Sequence, residues 1–279
     1  MSRVAVTGAA GQLGRAIVRH FSGHADVVAL TRQELDLADA AAIERRLAAD
    51  KPDVVINCAA FNDVDGAEER AMDAIAINAM VVRSLARACR ALDAVLVHYG
   101  TDFVFDGVAQ RPYTEEDEPS PQSVYGCSKL LGDWFAADAP RHYVLRVESL
   151  FGGARRRSSV DKIADALRTA EPARVFVDRT VTPSFVEDVA AATRRLLESG
   201  AASGIYHCVN SGVTTWYELG EEMARLLGRE ATLVPVRVAD VTLRARRPQY
   251  AALSNDKLRR AGVDMPSWQD ALKRYLATL

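Results

Sequence analysis

The chain has 279 residues, 49% hydrophobic and 26% charged, with a formal net charge of -2 at pH 7. That composition is one of a globular protein able to bury a full core, and its near-neutral balance gives no global attraction to nucleic acid or to an acidic membrane surface. No apolar run approaches the roughly 20 residues that span a bilayer, and the Met1-Ser2-Arg3 start lacks the apolar stretch of a signal peptide.

Cys58, Cys89, Cys127 and Cys208 are scattered, without a C-x-x-C pair. They suit a reducing compartment, so a cytoplasmic protein is expected. The first strand, 4–7, runs into Gly8, Gly11 and Gly14, and a helical pattern follows over 12–21. Strand, glycine turn and helix in that order place a pyrophosphate on the helix N-terminus, so Gly8, Gly11, Gln12, Leu13 and Gly14 are assigned to a dinucleotide. The second strand, 27–30, ends at Thr31-Arg32 with no acid at its tip. A site for NAD usually carries a carboxylate there for the ribose 2′-hydroxyl, whereas the Arg32 fork suits a 2′-phosphate. NADPH is the expected cofactor, with use of NADH left open.

Helical spacing over 40–49 and 71–92 flanks a third strand at 54–57, and further strands fall at 95–99 and 143–147. Strands apolar on both faces and separated by helices imply an α/β fold with a doubly wound, parallel, Rossmann-type sheet. Thr101 stands just past the fourth strand, at the sheet edge where such folds bind ligands. Tyr125 and Lys129 open a helical pattern over 125–137 with i, i+4 spacing, which puts phenol and ammonium on one face. A cation beside a phenol lowers its pKa, so Lys129 is expected to activate Tyr125 as a proton donor and acceptor.

After Arg146 the rhythm changes. A basic loop at 155–159 leads into a helix at 160–169, then a helix at 185–199 and a strand at 205–209. Short helices, an apolar run at 232–236 and Pro235, Pro248 and Pro266 follow. Residues 1–148 are therefore assigned to the dinucleotide-binding domain, with 181–210 returning to it. Residues 149–180 and 211–279 form a smaller, discontinuous substrate lobe.

Several motifs, read together, resemble the dTDP-4-dehydrorhamnose reductase family of extended short-chain dehydrogenases/reductases, nearly end to end. They are G-A-A-G-Q-L-G at 8–14, Glu34-Leu35-Asp36-Leu37, P-D-V-V-I-N-C-A-A at 52–60, Val64-Asp65 with Ala67-Glu68, and Asn78. Residues 98–107 and 121–129, Trp216-Tyr217, Arg247-Pro248, Leu253-Ser254-Asn255 and Lys257-Leu258 complete the set. The resemblance implies a catalytic triad of Thr101, Tyr125 and Lys129, reducing the 4-keto group of a nucleotide-activated deoxysugar. It puts Asp36 and Leu37 by the adenine and Ala59 and Ala60 along the cofactor groove. Asn78 supports a proton relay or packs a helix. A nucleotide-sugar substrate, no nucleic-acid or membrane partner and a homodimer are compatible with it.

Two departures fall near the sugar. Relatives commonly have Ser-Thr-Asp-Tyr where this chain has Gly100-Thr101-Asp102-Phe103, and often Arg-Thr-Ser-Trp where it has Arg146-Val147-Glu148-Ser149. Asp102, Phe103, Glu148, Ser149 and Arg247 are the candidate substrate-binding residues, and a sugar other than the rhamnose precursor is expected.

No metal site is assigned, since His20 and His24 have no acidic ligand beside them and fall at a helix C-terminus. The basic clusters 155–157 and Arg244, Arg246, Arg247 suit a pyrophosphate or a solvated face. The competing reading is a non-catalytic, NADP-binding regulatory subunit, since the β-subunit of methionine adenosyltransferase resembles this family too. The complete Thr101, Tyr125, Lys129 set weighs against it.

Overall fold

The computed structural model describes residues 2–154 and 156–279; Arg155 of the basic cluster lies outside the described residues. The first half alternates β1 (Arg3–Thr7), α1 (Gln12–Phe21), β2 (Asp26–Leu30), α2 (Ala40–Asp50) and β3 (Val54–Asn57). It continues through α3 (Val64–Glu69), α4 (Ala71–Ile75), α5 (Val81–Leu92), β4 (Val95–Thr101), α6 (Val124–Ala136) and β5 (His142–Val147). The second half adds β6 (Leu150–Phe151), α7 (Ser159–Thr169), β7 (Ala173–Phe176), β8 (Thr180–Val181), β9 (Ser184–Phe185), α8 (Val186–Glu198) and β10 (Gly204–His207). Then come β11 (Thr214–Thr215), α9 (Trp216–Leu227), β12 (Leu233–Val236), α10 (Asp256–Arg260) and α11 (Trp268–Leu276).

Six strands form one sheet in the order β10-β5-β4-β3-β1-β2, every neighbouring pair parallel. Alternation along β1 explains why both faces need helices. Val4 and Val6 join the core under α1 and α8, while Ala5 points into the opposite core with Ile43 and Leu47 of α2 and Val82 and Leu85 of α5. The path leaves β1 for β2 on one side and then crosses back to β3 on the other. A cleft opens at such a switch point, beyond the carboxyl ends of β1 and β3.

The helical pattern over 71–92 is not one regular helix. A π turn at Ala76–Met80 separates α4 from α5, and such turns accompany functional sites because they re-aim the residues inside them. The tail holds a longer helix than its composition suggested, since α9 runs for 12 residues behind a Thr215/Glu218 capping box. Outside the main sheet, β7 pairs with β12, β8 with β11 and β6 with β9. Among the described residues no helix is long and apolar enough to cross a membrane.

Candidate active site

The switch-point cleft is a cavity of about 880 Å³ that gathers Gly8, Gly11, Gln12, Arg32, Asp36, Leu37, Ala59 and Ala60 along one wall-to-wall groove. Leu13 and Gly14, also assigned to it, are not in its lining. Leu13 is buried in the core, and Gly14 fits α1 onto the turn, where a Cβ would stand 2.3 Å from the Gly8 carbonyl oxygen. Gly8 has φ +64°, and a Cβ there would lie 2.7 Å from Ala59 N. Only glycine brings β1 and the segment after β3 that close.

The lining fits a dinucleotide. The N-cap of α1, Gly11, supplies no side-chain cap, which leaves the first-turn amides and the positive end of the helix dipole facing the cleft. Arg32, Arg70 and Arg157 supply cations, and Leu35, Leu37 and Ile77 an apolar slot. Glu34 is the acid nearest the β2 tip. Its carboxylate accepts the Thr31 amide (2.9 Å) and hydroxyl, and those bonds hold it below the usual carboxylate range. It is therefore occupied in the turn, while Arg32 is exposed and has no ion-pair partner among the described residues.

Thr101 ends β4 and caps the short turn that follows, accepting the Phe103 amide (3.3 Å) and donating to Asp102 Oδ1 (3.0 Å). The Ser123 hydroxyl caps α6 (3.1 Å to Gly126 N), and Glu68 of α3 accepts the Val124 amide (2.9 Å). These ties hold Tyr125 in the first turn with its hydroxyl close enough to Thr101 for the two to interact. Burial pushes the phenol above its ordinary value, Asp102 adds to this, and the interaction with Thr101 opposes it. Activation by the lysine, anticipated from the spacing, is not what the geometry gives. Lys129 Nζ turns away to donate to the Tyr99 carbonyl and lies 3.5 Å from His98 Nε2. Burial brings this ammonium down to about 8, with Asp133 opposing the shift.

Below Lys129 runs a buried polar network. Asn57 Oδ1 accepts from Thr7 Oγ1 (2.7 Å) and the Ala59 amide (3.2 Å), which fixes the side-chain amide. Its Nδ2 therefore donates to His98 Nδ1 (3.1 Å), so the His98 proton sits on Nε2, facing Asp133 Oδ1 at 3.9 Å. Burial, and then Lys129, holds His98 well below its ordinary value, so it is neutral. Asp133 Oδ2 accepts from Arg146 Nε (3.0 Å). Asn78 sits in the π turn and donates to Ser128 Oγ (2.9 Å) and to the Phe61 carbonyl (3.2 Å), while accepting the Phe61 amide (2.8 Å). It ties the cleft wall to α6. The two approach so closely that a Cβ on Gly132 would stand 2.1 Å from the Asn78 carbonyl oxygen.

On the sugar side, the Phe103 ring meets Tyr125 edge-on, centroids 5.3 Å apart, and the Arg247 guanidinium lies 5.9 Å from the Phe103 centroid. Arg247 also pairs with Asp65 of α3 (2.8 Å), and Arg244 pairs with Glu69. Glu148 and Ser149 are not turned toward an open pocket. The Ser149 hydroxyl donates to the Glu148 carboxylate, which also accepts the Thr182 amide. Arg179, within Coulombic reach of both Asp102 and Glu148, was given no role from the sequence, nor were Asp133 or, within the quoted motifs, His98 and Asn57. Asp133 left a spacing signal, the i, i+4 step beyond Lys129.

The family model described as the RmlD substrate binding domain matches residues 2–279. A dTDP-4-dehydrorhamnose reductase of Streptomyces griseus is 37% identical over 98% of this chain and 93% of its own length. The crystal structure of a Clostridium acetobutylicum dTDP-4-dehydrorhamnose reductase superposes with a TM-score of 0.94 at 34% identity, covering 99% of each chain. That of the Bacillus anthracis enzyme in complex with NADP gives 0.95 at 28% identity, covering 100% of this chain and 99% of the other.

Proposed function

The chain belongs to the RmlD substrate binding domain family, and from that membership we propose that it reduces the 4-keto group of a nucleotide-activated deoxysugar with NADPH, as dTDP-4-dehydrorhamnose reductases do. The observation that carries the reading is the juxtaposition of the Tyr125 and Thr101 hydroxyls, both buried, at the carboxyl end of β4, one strand from the switch-point cleft.

When bound, the cofactor supplies a hydride to the keto carbon. Tyr125, kept neutral by its raised pKa, gives its proton to the keto oxygen, and Thr101 hydrogen-bonds and orients that oxygen. Lys129 holds a positive charge beneath them, and with the cofactor bound it would be the group to hold the ribose hydroxyls. Gly8, Gly11 and Gln12 cradle the pyrophosphate, Asp36 and Leu37 flank the adenine, and Ala59 and Ala60 line the groove. A second cavity, about 390 Å³ and lined by Arg244, Arg246 and Arg247, supports a site for the sugar nucleotide's own pyrophosphate. We assign 1–148 with 181–210 to cofactor binding and 149–180 with 211–279 to substrate. The return of α8 and β10 to the sheet and the β7–β12 pairing support that division. Met80 and Trp134, both exposed, support a homodimer, and the free cysteines support a cytoplasmic location.

Assay of a panel of 4-keto sugar nucleotides by NADPH consumption tests the reading. At least one should reach a kcat/KM of about 10⁵ M⁻¹s⁻¹, a value usual for an evolved substrate, and no turnover on any would overturn it. Phe103 for a tyrosine, and Ser149 where relatives often carry a tryptophan, lead us to expect a best substrate other than dTDP-4-dehydrorhamnose. Preference for NADPH over NADH is expected to rest on Arg32. Loss of one charge-assisted contact, about 1.5–3 kcal/mol, should cut that preference roughly 10- to 150-fold in Arg32→Ala. An unchanged cofactor ratio would remove Arg32 from the argument.

A further inference from the structure

We infer that Arg157, which comes from the stretch assigned to the substrate lobe, grips the pyrophosphate of the bound dinucleotide, so that both lobes hold the cofactor. The inference rests on the reductase reading given above.

The segment after β6 is anchored at both ends. Gln12, in the first turn of α1, donates from Nε2 to the Gly152 carbonyl at 2.8 Å. Gly152 and Gly153 have φ of +93° and +80°, and a Cβ on Gly152 would stand 2.5 Å from the Phe185 ring. A Cβ on Gly153 would lie 3.6 Å from the Gln12 carbonyl oxygen. Two successive left-handed residues thus fit the chain against the N-terminus of α1, a path that glycine permits. At the other end Ser158 and Asp161 form the capping box of α7, each accepting the other's amide (3.2 and 2.8 Å). Between these anchors Arg156 pairs with Asp165 of α7. Arg157 instead lines the cofactor cavity with Gly8, Gly11 and Gln12. It is exposed and has no ion-pair partner among the described residues.

Position decides which phosphate it meets. The three cations of the cavity come from separate segments: Arg32 follows β2, Arg70 follows α3 and Arg157 precedes α7. Arg70 is committed to Asp63 at 2.9 Å and lies over the Phe61 ring. Arg32 stands at the β2 tip, where the adenosine ribose binds in such folds. The Arg157 segment is tied through Gly152 and Gln12 to the helix N-terminus, where the first-turn amides receive a pyrophosphate. That helix end carries only about half a positive charge, less than a pyrophosphate needs. A guanidinium adds a full charge and a bidentate fork. The acids of the same lining, Asp36 and Asp73, come from the stretch after β2 and from α4, not from the Arg157 segment. Arg244, Arg246 and Arg247 line the other cavity, so cofactor and sugar nucleotide draw on separate cations.

Arg157→Ala tests this by fluorescence titration without sugar substrate. The side chain is exposed, so the variant should keep the wild-type Tm. Its affinity for NADPH and for NADH should each fall about tenfold, the lower end of the range for one charge-assisted contact. The two should fall by the same factor, leaving their ratio unchanged. Measured by calorimetry, ADP-ribose, which has the pyrophosphate but no 2′-phosphate, should weaken likewise, and dTDP should bind as it does to wild type. Arg157→Lys, which keeps the charge without the fork, should fall between wild type and Arg157→Ala. Wild-type affinity for NADPH in Arg157→Ala overturns the inference and leaves the side chain on a solvated face. A changed NADPH-to-NADH ratio overturns it too, moving Arg157 to the 2′-phosphate, and so does a loss confined to dTDP, which moves it to the sugar nucleotide. Failure of the wild type to bind either nicotinamide would overturn the reductase reading itself.

Discussion

Tyr125→Phe is expected to lower kcat about 10²–10⁴-fold, the range for removing a general acid, while leaving NADPH binding nearly unchanged. In the proposed reaction the phenol is the proton donor, and its pKa lies above its ordinary value because burial and then Asp102 disfavour the phenolate. It is therefore protonated throughout the neutral range, the form a reduction needs. The ring itself packs edge-on against Phe103, and phenylalanine preserves that contact. Fluorescence titration with NADPH, set beside steady-state kinetics on a confirmed substrate, separates the two effects. Wild-type turnover in the variant would discard the mechanism, and a parallel loss of cofactor affinity would mean that the hydroxyl has a binding role as well.

Asp133→Ala is expected to cost about 3–5 kcal/mol of stability, the penalty for breaking a buried charge pair from one side. Asp133 is buried between Arg146, which donates to it at 3.0 Å, and Lys129, whose charge it supports. Without the carboxylate two buried cations share one region, and Arg146 Nη1, already without a partner, is joined by Nε. Lys129 would then fall below its present value of about 8 and lose its proton near neutrality. Urea unfolding should register the loss, as should a Tm lowered by roughly 2–4 °C per kcal/mol. Asp133→Asn, which keeps an acceptor for Arg146 Nε, should lose less. A shift of under about 1 kcal/mol in the alanine variant, the size of a surface pair, would show that Arg146 and Lys129 are balanced by other groups.

What could be read from the chain follows from how local each signal is. The β1 turn was legible because Gly8, Gly11 and Gly14 fall within seven residues, and the doubly wound sheet because Val4–Ala5–Val6 are apolar toward both faces. Tyr125 and Lys129 were legible as a pair one helical turn apart. The direction in which Lys129 points was not, since its partners Tyr99 and His98 come from β4. Asn57, His98, Asp133 and Arg146 meet across β3, β4, α6 and β5, and no spacing rule links them. Glu148 was noticed as a departure, but its orientation depends on Thr182, from a segment read only as returning to the dinucleotide-binding domain. The π turn was hidden because one extra residue barely disturbs an apolar pattern as long as 71–92.

The position of β10 has a consequence for how the chain is made. Its partner β5 ends at Val147, but β10 is not complete until His207, after a 60-residue excursion. A ribosome adding roughly 5–20 residues per second leaves the outer edge of β5 without its neighbour for several seconds. An unpaired parallel edge is a template for pairing with another nascent chain. Yield on expression should therefore respond to synthesis speed and temperature between codons 148 and 207 more than to the same changes upstream of β4.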